Sequence, residues 1–219
     1  MVNKLKIFNN FNIPNKFKNS IILIGNFDGL HSGHQKLFEL AKKYKTKYKS
    51  KVGVVTFDPI PKMFFNKQIK NYRISNFNQK VIYLKKFGVD FVINKKFDKN
   101  FSKINYHKFT KDILSRKLRS KFIFVSNNFR FGHKREGDVS QLKKYENDFG
   151  YNLINPAPLI KNKKIISSTV IRKLLEEGKL LKANTFLKRN WEIEGKVQRG
   201  RMMGQKIGFP TCNIDIRDY

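Results

Sequence analysis

The densest chemistry in this 219-residue chain lies in ten consecutive residues, Gly25-Asn26-Phe27-Asp28-Gly29-Leu30-His31-Ser32-Gly33-His34. Two of the four histidines stand three residues apart with Gly33 between them, close to Asp28. On a helix, imidazoles at i and i+3 share one face. From there they can donate hydrogen bonds to oxygens whose charge grows as a phosphoanhydride breaks. The apolar run Ile21–Ile24 comes directly before, so the motif reads as a turn from a strand into a helix. A helix N-terminus offers unpaired N–H groups and partial positive charge, a seat for a triphosphate. Gly33 would let backbone approach phosphate where a Cβ would intrude. Neither a P-loop lysine nor G-x-G-x-x-G occurs in the motif, so those phosphate cradles are absent from it. A lone histidine is more often a satisfied polar residue or surface filler. Two of four sharing one turn with an aspartate and three glycines point to function.

Three further stretches could contribute. Thr56-Phe57-Asp58-Pro59-Ile60-Pro61 reads equally as a strand end whose prolines order a turn. In Asn128-Phe129-Arg130-Phe131-Gly132 the aromatics could be core with a snorkelling arginine. Their period of two after a strand also suits contact with a flat ring. Ser167-Ser168-Thr169, with Arg172 three residues on, is by itself a helix start with its cap. Hydroxyls, N-terminal amides and a cation also converge there as an anion site.

Short apolar runs at Ile21–Ile24, Val52–Phe57, Val89–Ile93, Phe122–Val125 and Tyr151–Ile154 have the character of buried parallel strands. Helical stripes lie between them: Leu37, Leu40, Ala41 and Tyr44; Val81, Leu84 and Phe87; and Tyr106 to Leu118. The alternation predicts a doubly wound, Rossmann-like parallel α/β sheet with its site at the carboxyl ends of the strands. Two short helices follow Ser167, the second spanning Leu180 to Leu187. From Trp191 the period becomes two, through Ile193, Gly195 and Val197, as in the opening strands of a β module. About 30 residues cannot bury a core of their own, so this tail must pack on something else or be the start of a longer module.

Composition excludes more than it assigns. Aromatic content of 14%, with 21 Phe, is too rich for a disordered chain. Apolar runs are too short to span a membrane, and residues 1–20 lack a secretory apolar segment. Cys212 alone offers neither a disulfide nor a thiolate zinc cluster. The expected location is the cytoplasm. Net charge is +31, yet Lys outnumbers Arg by 37 to 10 and is spread along the whole chain, accompanied by 23 Asn. That is the product of an AT-rich coding sequence as readily as of selection for an anionic partner. RNP aromatics, C₂H₂ spacing and a continuous basic helix are all missing, so no specific nucleic-acid partner is expected.

The ten-residue motif resembles the signature of the adenylyltransferase half of bacterial bifunctional FAD synthetases, within the H-x-G-H nucleotidylyltransferases. Thr56–Pro61 resembles that family's second-strand motif, Val125–Gly132 with Arg135 and Gly137-Asp138 its flavin loop, and Ile166–Arg172 its second phosphate motif. Gly204 to Ile214 is similar to the start of its riboflavin-kinase β-barrel. The resemblance implies an FMN adenylyltransferase domain over 1–188 and the opening of a kinase barrel over 189–219. It implies transfer of AMP from ATP, with Mg²⁺, to FMN, giving FAD and pyrophosphate; riboflavin would be phosphorylated by a full-length form. His31, His34 and Arg172 would be catalytic. Gly25, Phe27, Asp28, Gly33, Asn128, Phe129, Ser168 and Thr169 would bind substrate. Thr211 and Asn213 match Mg–ATP positions of a complete kinase module. The chain departs from the family at Ile60, usually histidine, and at Ser126, usually glycine. The alternatives are an H-x-G-H transferase with another phosphate acceptor, and a non-catalytic basic module that binds nucleic acid.

Overall fold

Burial on both faces explains why the strands read as unbroken apolar runs. The computed structural model describes residues 5–70, 72–161, 164–201 and 203–219. Six strands, β1 (Lys6–Phe8), β2 (Ile21–Ile24), β3 (Val52–Asp58), β4 (Phe91–Lys96), β5 (Phe122–Phe124) and β6 (Asn152–Ile154), form one sheet. Their order is β1-β4-β3-β2-β5-β6, and every pair is parallel. Successive side chains point to opposite faces. Ile22, Ile24, Val55, Ile93 and Ile123 therefore enter one core with Phe109, Ile113 and Leu114. Ile21, Leu23, Val54, Val92 and Phe124 enter the other with Leu37, Phe38 and Ala41. The expected α/β sheet is present.

Chain order reverses at β2, with β3, β4 and β1 on one side and β5 and β6 on the other. A ligand crevice forms where neighbouring crossovers diverge in this way. Helix α1 (Ser32–Tyr48) leaves from that point. Its far end is tied to the sheet by Lys45, which donates to Asp90 at 2.7 Å, while Asp90 accepts the Val52 amide at 2.8 Å. Helix α2 (Phe77–Lys86) starts on a reciprocal cap: Asn76 accepts from the Gln79 amide at 2.9 Å, and Gln79 from the Asn76 amide at 3.0 Å. The third stripe is one turn, Tyr106–Lys108, continuing as a π-helix over Phe109–Lys117. Helices α3 (Ser168–Glu176) and α4 (Leu180–Leu187) build a third core in which Ile171, Leu174, Ala183 and Leu187 close on Ile74.

Two details differ from expectation. Strand β1 pairs with the edge of β4 although its three residues, Lys6-Ile7-Phe8, carry no recognisable pattern. The alternation from Trp191 yields strand only at Val197–Gln198, paired with Asn213–Ile214, and both are exposed. Residues before it follow side-chain anchors instead of a ladder. Trp191 Nε1 donates to the Ile74 carbonyl at 2.9 Å, and Gln79 Nε2 to the Glu192 carbonyl at 3.1 Å. The Tyr219 hydroxyl donates to Gln79 Oε1 at 3.0 Å and accepts from the Glu194 amide at 2.8 Å. The tail thus packs on the segment that opens α2. Among the described residues, no helix is long and apolar enough to cross a membrane.

Candidate active site

Where β2 ends, the Gly25 amide donates to the Val55 carbonyl at 3.1 Å, holding the turn against β3. The chain then reverses through positive φ at Phe27 (46°), Gly29 (74°) and Leu30 (37°). Left-handed non-glycine residues each cost on the order of 1 kcal/mol or more. Burial of Phe27 and Leu30 offsets that cost. The Phe27 ring lies 5.2 Å from His34 and 5.0 Å from Phe38, so this residue supports the histidine from the core. At Gly29 a Cβ would sit 2.8 Å from Ile74.

The imidazoles of His31 and His34 stack, with centroids 3.7 Å apart and planes inclined by 22°. Both Nδ1 atoms are buried without a protein partner. Burial, helped by the positive charges of Arg172 and Arg189, pushes His31 down to about 4. Burial, then His31 and Lys80, holds His34 well below its ordinary 6.5. Two neutral rings result at neutral pH, each with one N–H donor. His31 is also the N-cap residue of α1 but makes no side-chain cap bond, and the first turn contains no acid. The opening amides of this 17-residue helix remain available to an anion. Gly33 has a reason beyond ligand approach: a Cβ would come 3.2 Å from the His31 ring and 3.3 Å from the Ile166 carbonyl.

Asp28, 2% exposed, joins three distant segments. Its carboxylate accepts from the amides of Ile74 at 3.0 Å and Ser75 at 3.3 Å, and from Arg172 Nη2 at 2.6 Å. Its carbonyl accepts from the Ser168 hydroxyl at 2.9 Å. Arg172 also donates through Nε to the Tyr72 carbonyl at 2.8 Å and lies 3.7 Å over the Tyr72 ring. Arg189 donates to the Gly29 carbonyl at 2.8 Å and stacks on Tyr83 at 4.0 Å. The turn and the start of α3, separated by about 140 residues, are thereby one unit.

Not every expected residue joins it. Thr169 is exposed on the first turn of α3. Asn128 and Phe129 belong to the loop after β5. There Asn128 Oδ1 accepts from the Ser126 hydroxyl at 2.9 Å, and Phe129 stacks on Phe131 at 5.3 Å. Ile60 is buried ahead of a short helix, Pro61–Phe65. Thr211 and Asn213 lie exposed on the tail. Sequence reasoning missed Lys80, 4% exposed on α2, whose position one turn before Leu84 on the apolar stripe was a usable signal. It also missed Asn94, whose Oδ1 is buried and unpartnered, as is that of Asn26. Among the described residues, no group of three His, Cys, Asp or Glu could hold a metal.

Comparison with known proteins identifies the family. The FAD synthetase family profile matches residues 13–170, and that of riboflavin kinase matches 187–219. A bifunctional riboflavin kinase/FMN adenylyltransferase of Buchnera aphidicola from Acyrthosiphon pisum is 40% identical over 93% of this chain and 65% of its own length. The protein of the same name from Escherichia coli K12 is 34% identical over 90% of this chain and 63% of its own length. The chain therefore spans a little under two thirds of these curated relatives. A crystal structure described as a macrolide-efflux protein from Streptococcus pneumoniae superposes with a TM-score of 0.80 at 27% identity, covering 95% of this chain and 68% of that one. With the profile matching well over half of its residues, around the turn and helix start just described, the chain belongs to the FAD synthetase family.

Proposed function

We propose that this chain transfers AMP from ATP to FMN, forming FAD and releasing pyrophosphate. The observation that carries the reading is the stacked, neutral His31–His34 pair at the uncapped start of α1, locked by Asp28 to Ser168 and Arg172. The FMN phosphate attacks the α-phosphorus in line, and the pyrophosphate leaves. Such a transfer needs positioning and charge stabilisation rather than a covalent nucleophile. Neutral imidazole N–H groups suit it, because their hydrogen bonds strengthen as the oxygens gain charge. Ser168, Thr169 and the free edge of Arg172 would meet the distal phosphates. Asn128 and Phe129, across the sheet's switch point, would meet nucleotide or flavin. Magnesium enters in this reading on the triphosphate, as part of Mg–ATP, where substrate phosphates and waters supply most of its ligands. Residues 1–188 would form this domain, and 189–219 would belong to a riboflavin-kinase module, the second activity in the relatives' names.

The test is a chromatographic assay of FMN with Mg–ATP. FAD and pyrophosphate formed in equal amounts are expected. FAD formation slowed about 10²-fold or more by His31→Ala and by His34→Ala, with the fold intact, would tie the activity to the turn. An H-x-G-H transferase with another acceptor would leave FMN untouched.

A further inference from the structure

Helix α2 packs against the Asp28–Leu30 turn, and the two residues before its cap, Ile74 and Ser75, give their amides to the Asp28 carboxylate. Lys80 lies one turn into this helix, its amide donating to the Asn76 carbonyl at 3.1 Å, and its side chain is only 4% exposed. Its charged neighbours are Asp28, Asp58 and Arg73, and its charge reaches His34 on α1. Each carboxylate is already matched. Asp28 is bound by Arg172 at 2.6 Å, and Asp58 is bound by Arg73. Among the described residues, the ammonium of Lys80 has neither a hydrogen bond nor an ion pair of its own. Two carboxylates thus face three cations, and the lysine is the unmatched one.

The stem of Lys80 is buried, while its ammonium is not among the sealed unpartnered atoms and so opens outward with no protein partner; a charge so poorly hydrated is stabilised by an anion beside it. Burial accordingly pushes Lys80 below its ordinary 10.5. Balancing Asp28 and Asp58 does not require it, since both guanidiniums already do so. An anion bound next to the paired histidines would match this charge.

We propose that the Lys80 ammonium contacts a phosphate oxygen of the bound substrates from the α2 side, a third phosphate ligand beside His31 and His34. This inference rests on the adenylyl-transfer reading for which phosphates arrive. A phosphate oxygen would accept from the ammonium and favour the charged amine, so binding and protonation reinforce each other.

The experiment compares wild type with Lys80→Met and Lys80→Gln. It measures thermal midpoint, calorimetric binding of pyrophosphate and of Mg–ATP, and KM for ATP and for FMN. If the lysine serves the ligand, Lys80→Met melts at or above wild type, because an unmatched buried charge has been replaced by an apolar side chain of similar length. Phosphate binding then weakens by about 10- to 100-fold, the range for a charged hydrogen bond. A rise in KM for ATP assigns the contact to the nucleotide, and a rise in KM for FMN assigns it to the flavin phosphate. Wild-type binding of pyrophosphate and both substrates in Lys80→Met and Lys80→Gln would overturn the proposal. So would loss of folding in both variants, which would make the ammonium structural. Failure of the adenylyl-transfer reading is distinguishable: the wild type would then make no FAD, whatever its affinity for pyrophosphate.

Discussion

Arg172 Nη2 donates to Asp28 Oδ2 at 2.6 Å across 144 residues of sequence, and this pair closes the site. The carboxylate also carries the Ile74 and Ser75 amides, so removing it strands two buried amides and a partly buried guanidinium at once. Breaking one side of a buried pair typically costs about 3–5 kcal/mol. Asp28→Ala should therefore lower unfolding stability by that order in urea, with FAD synthesis lost. Asp28→Asn keeps the shape and should cost less. A stability change under 1 kcal/mol for Asp28→Ala would mean that the clamp does not hold the turn.

Replacing Arg172 by Lys keeps a charge but loses the planar fork, here divided between Asp28 and the Tyr72 carbonyl, and the stacking on Tyr72. Arg172→Lys should raise KM for ATP and also lower the melting temperature, with Arg172→Ala worse in both. A pure phosphate grip would change KM alone. Steady-state kinetics beside a thermal melt separates the two, and unaltered KM in both variants would remove Arg172 from substrate binding.

Much of this was legible because local chemistry carried it. The runs Ile21–Ile24 and Phe122–Val125 have the short length and the β-branched and aromatic composition of strands buried on both faces, and the His31–His34 spacing put both rings on one side of α1. Contacts between remote segments were not legible. Nothing in the spacing of Asp28, Ile74 and Arg172 announces that they meet. Lys80 was hidden by its type: in a chain with 37 lysines, one more on an amphipathic helix reads as solvated surface. Strand β1 was invisible because three residues at a sheet edge, only partly covered, need no periodic pattern.

Gly29 combines φ of 74° with Ile74 at 2.8 Å from any added Cβ. Both the left-handed backbone and the contact with a buried side chain oppose substitution. Gly29→Ala should cost about 1–3 kcal/mol. It should also weaken catalysis, because the same turn delivers His31. Gly88, at φ 78° with open space around it, is the control in which backbone strain acts alone. Equal losses for Gly29→Ala and Gly88→Ala would show that packing against Ile74 contributes nothing.

His34→Ala should lower kcat by about 10²- to 10³-fold, the cost of removing one preorganised donor to a developing oxyanion. Binding of Mg–ATP should change far less, since the α1 amides and the Arg172 side remain. The stacking partner His31 would lose its neighbour, so the variant's circular dichroism must be compared with wild type first. FAD formation at the wild-type rate would remove His34 from the chemistry.

The depressed histidines also set how the protein responds to acid. His31 holds its proton only below about 4 in the folded chain, against 6.5 when unfolded. Between those values the unfolded chain binds more protons, so stability rises with pH through the window and is lost as pH falls from 6.5 toward 4. His31 alone accounts for about 3 kcal/mol across it, and His34 acts in the same direction. Urea unfolding at pH 7.5, 6, 5 and 4.5 should show that decline, with His31→Phe flattening it by keeping an aromatic ring that cannot titrate. Because both rings are already neutral, kcat/KM for ATP should show no histidine limb near 6.5, and its acid limb should lie well below. An activity that halves at pH 6.5, together with an unfolding profile identical in His31→Phe, would place charged imidazoles at this turn and reverse the electrostatics argued for it.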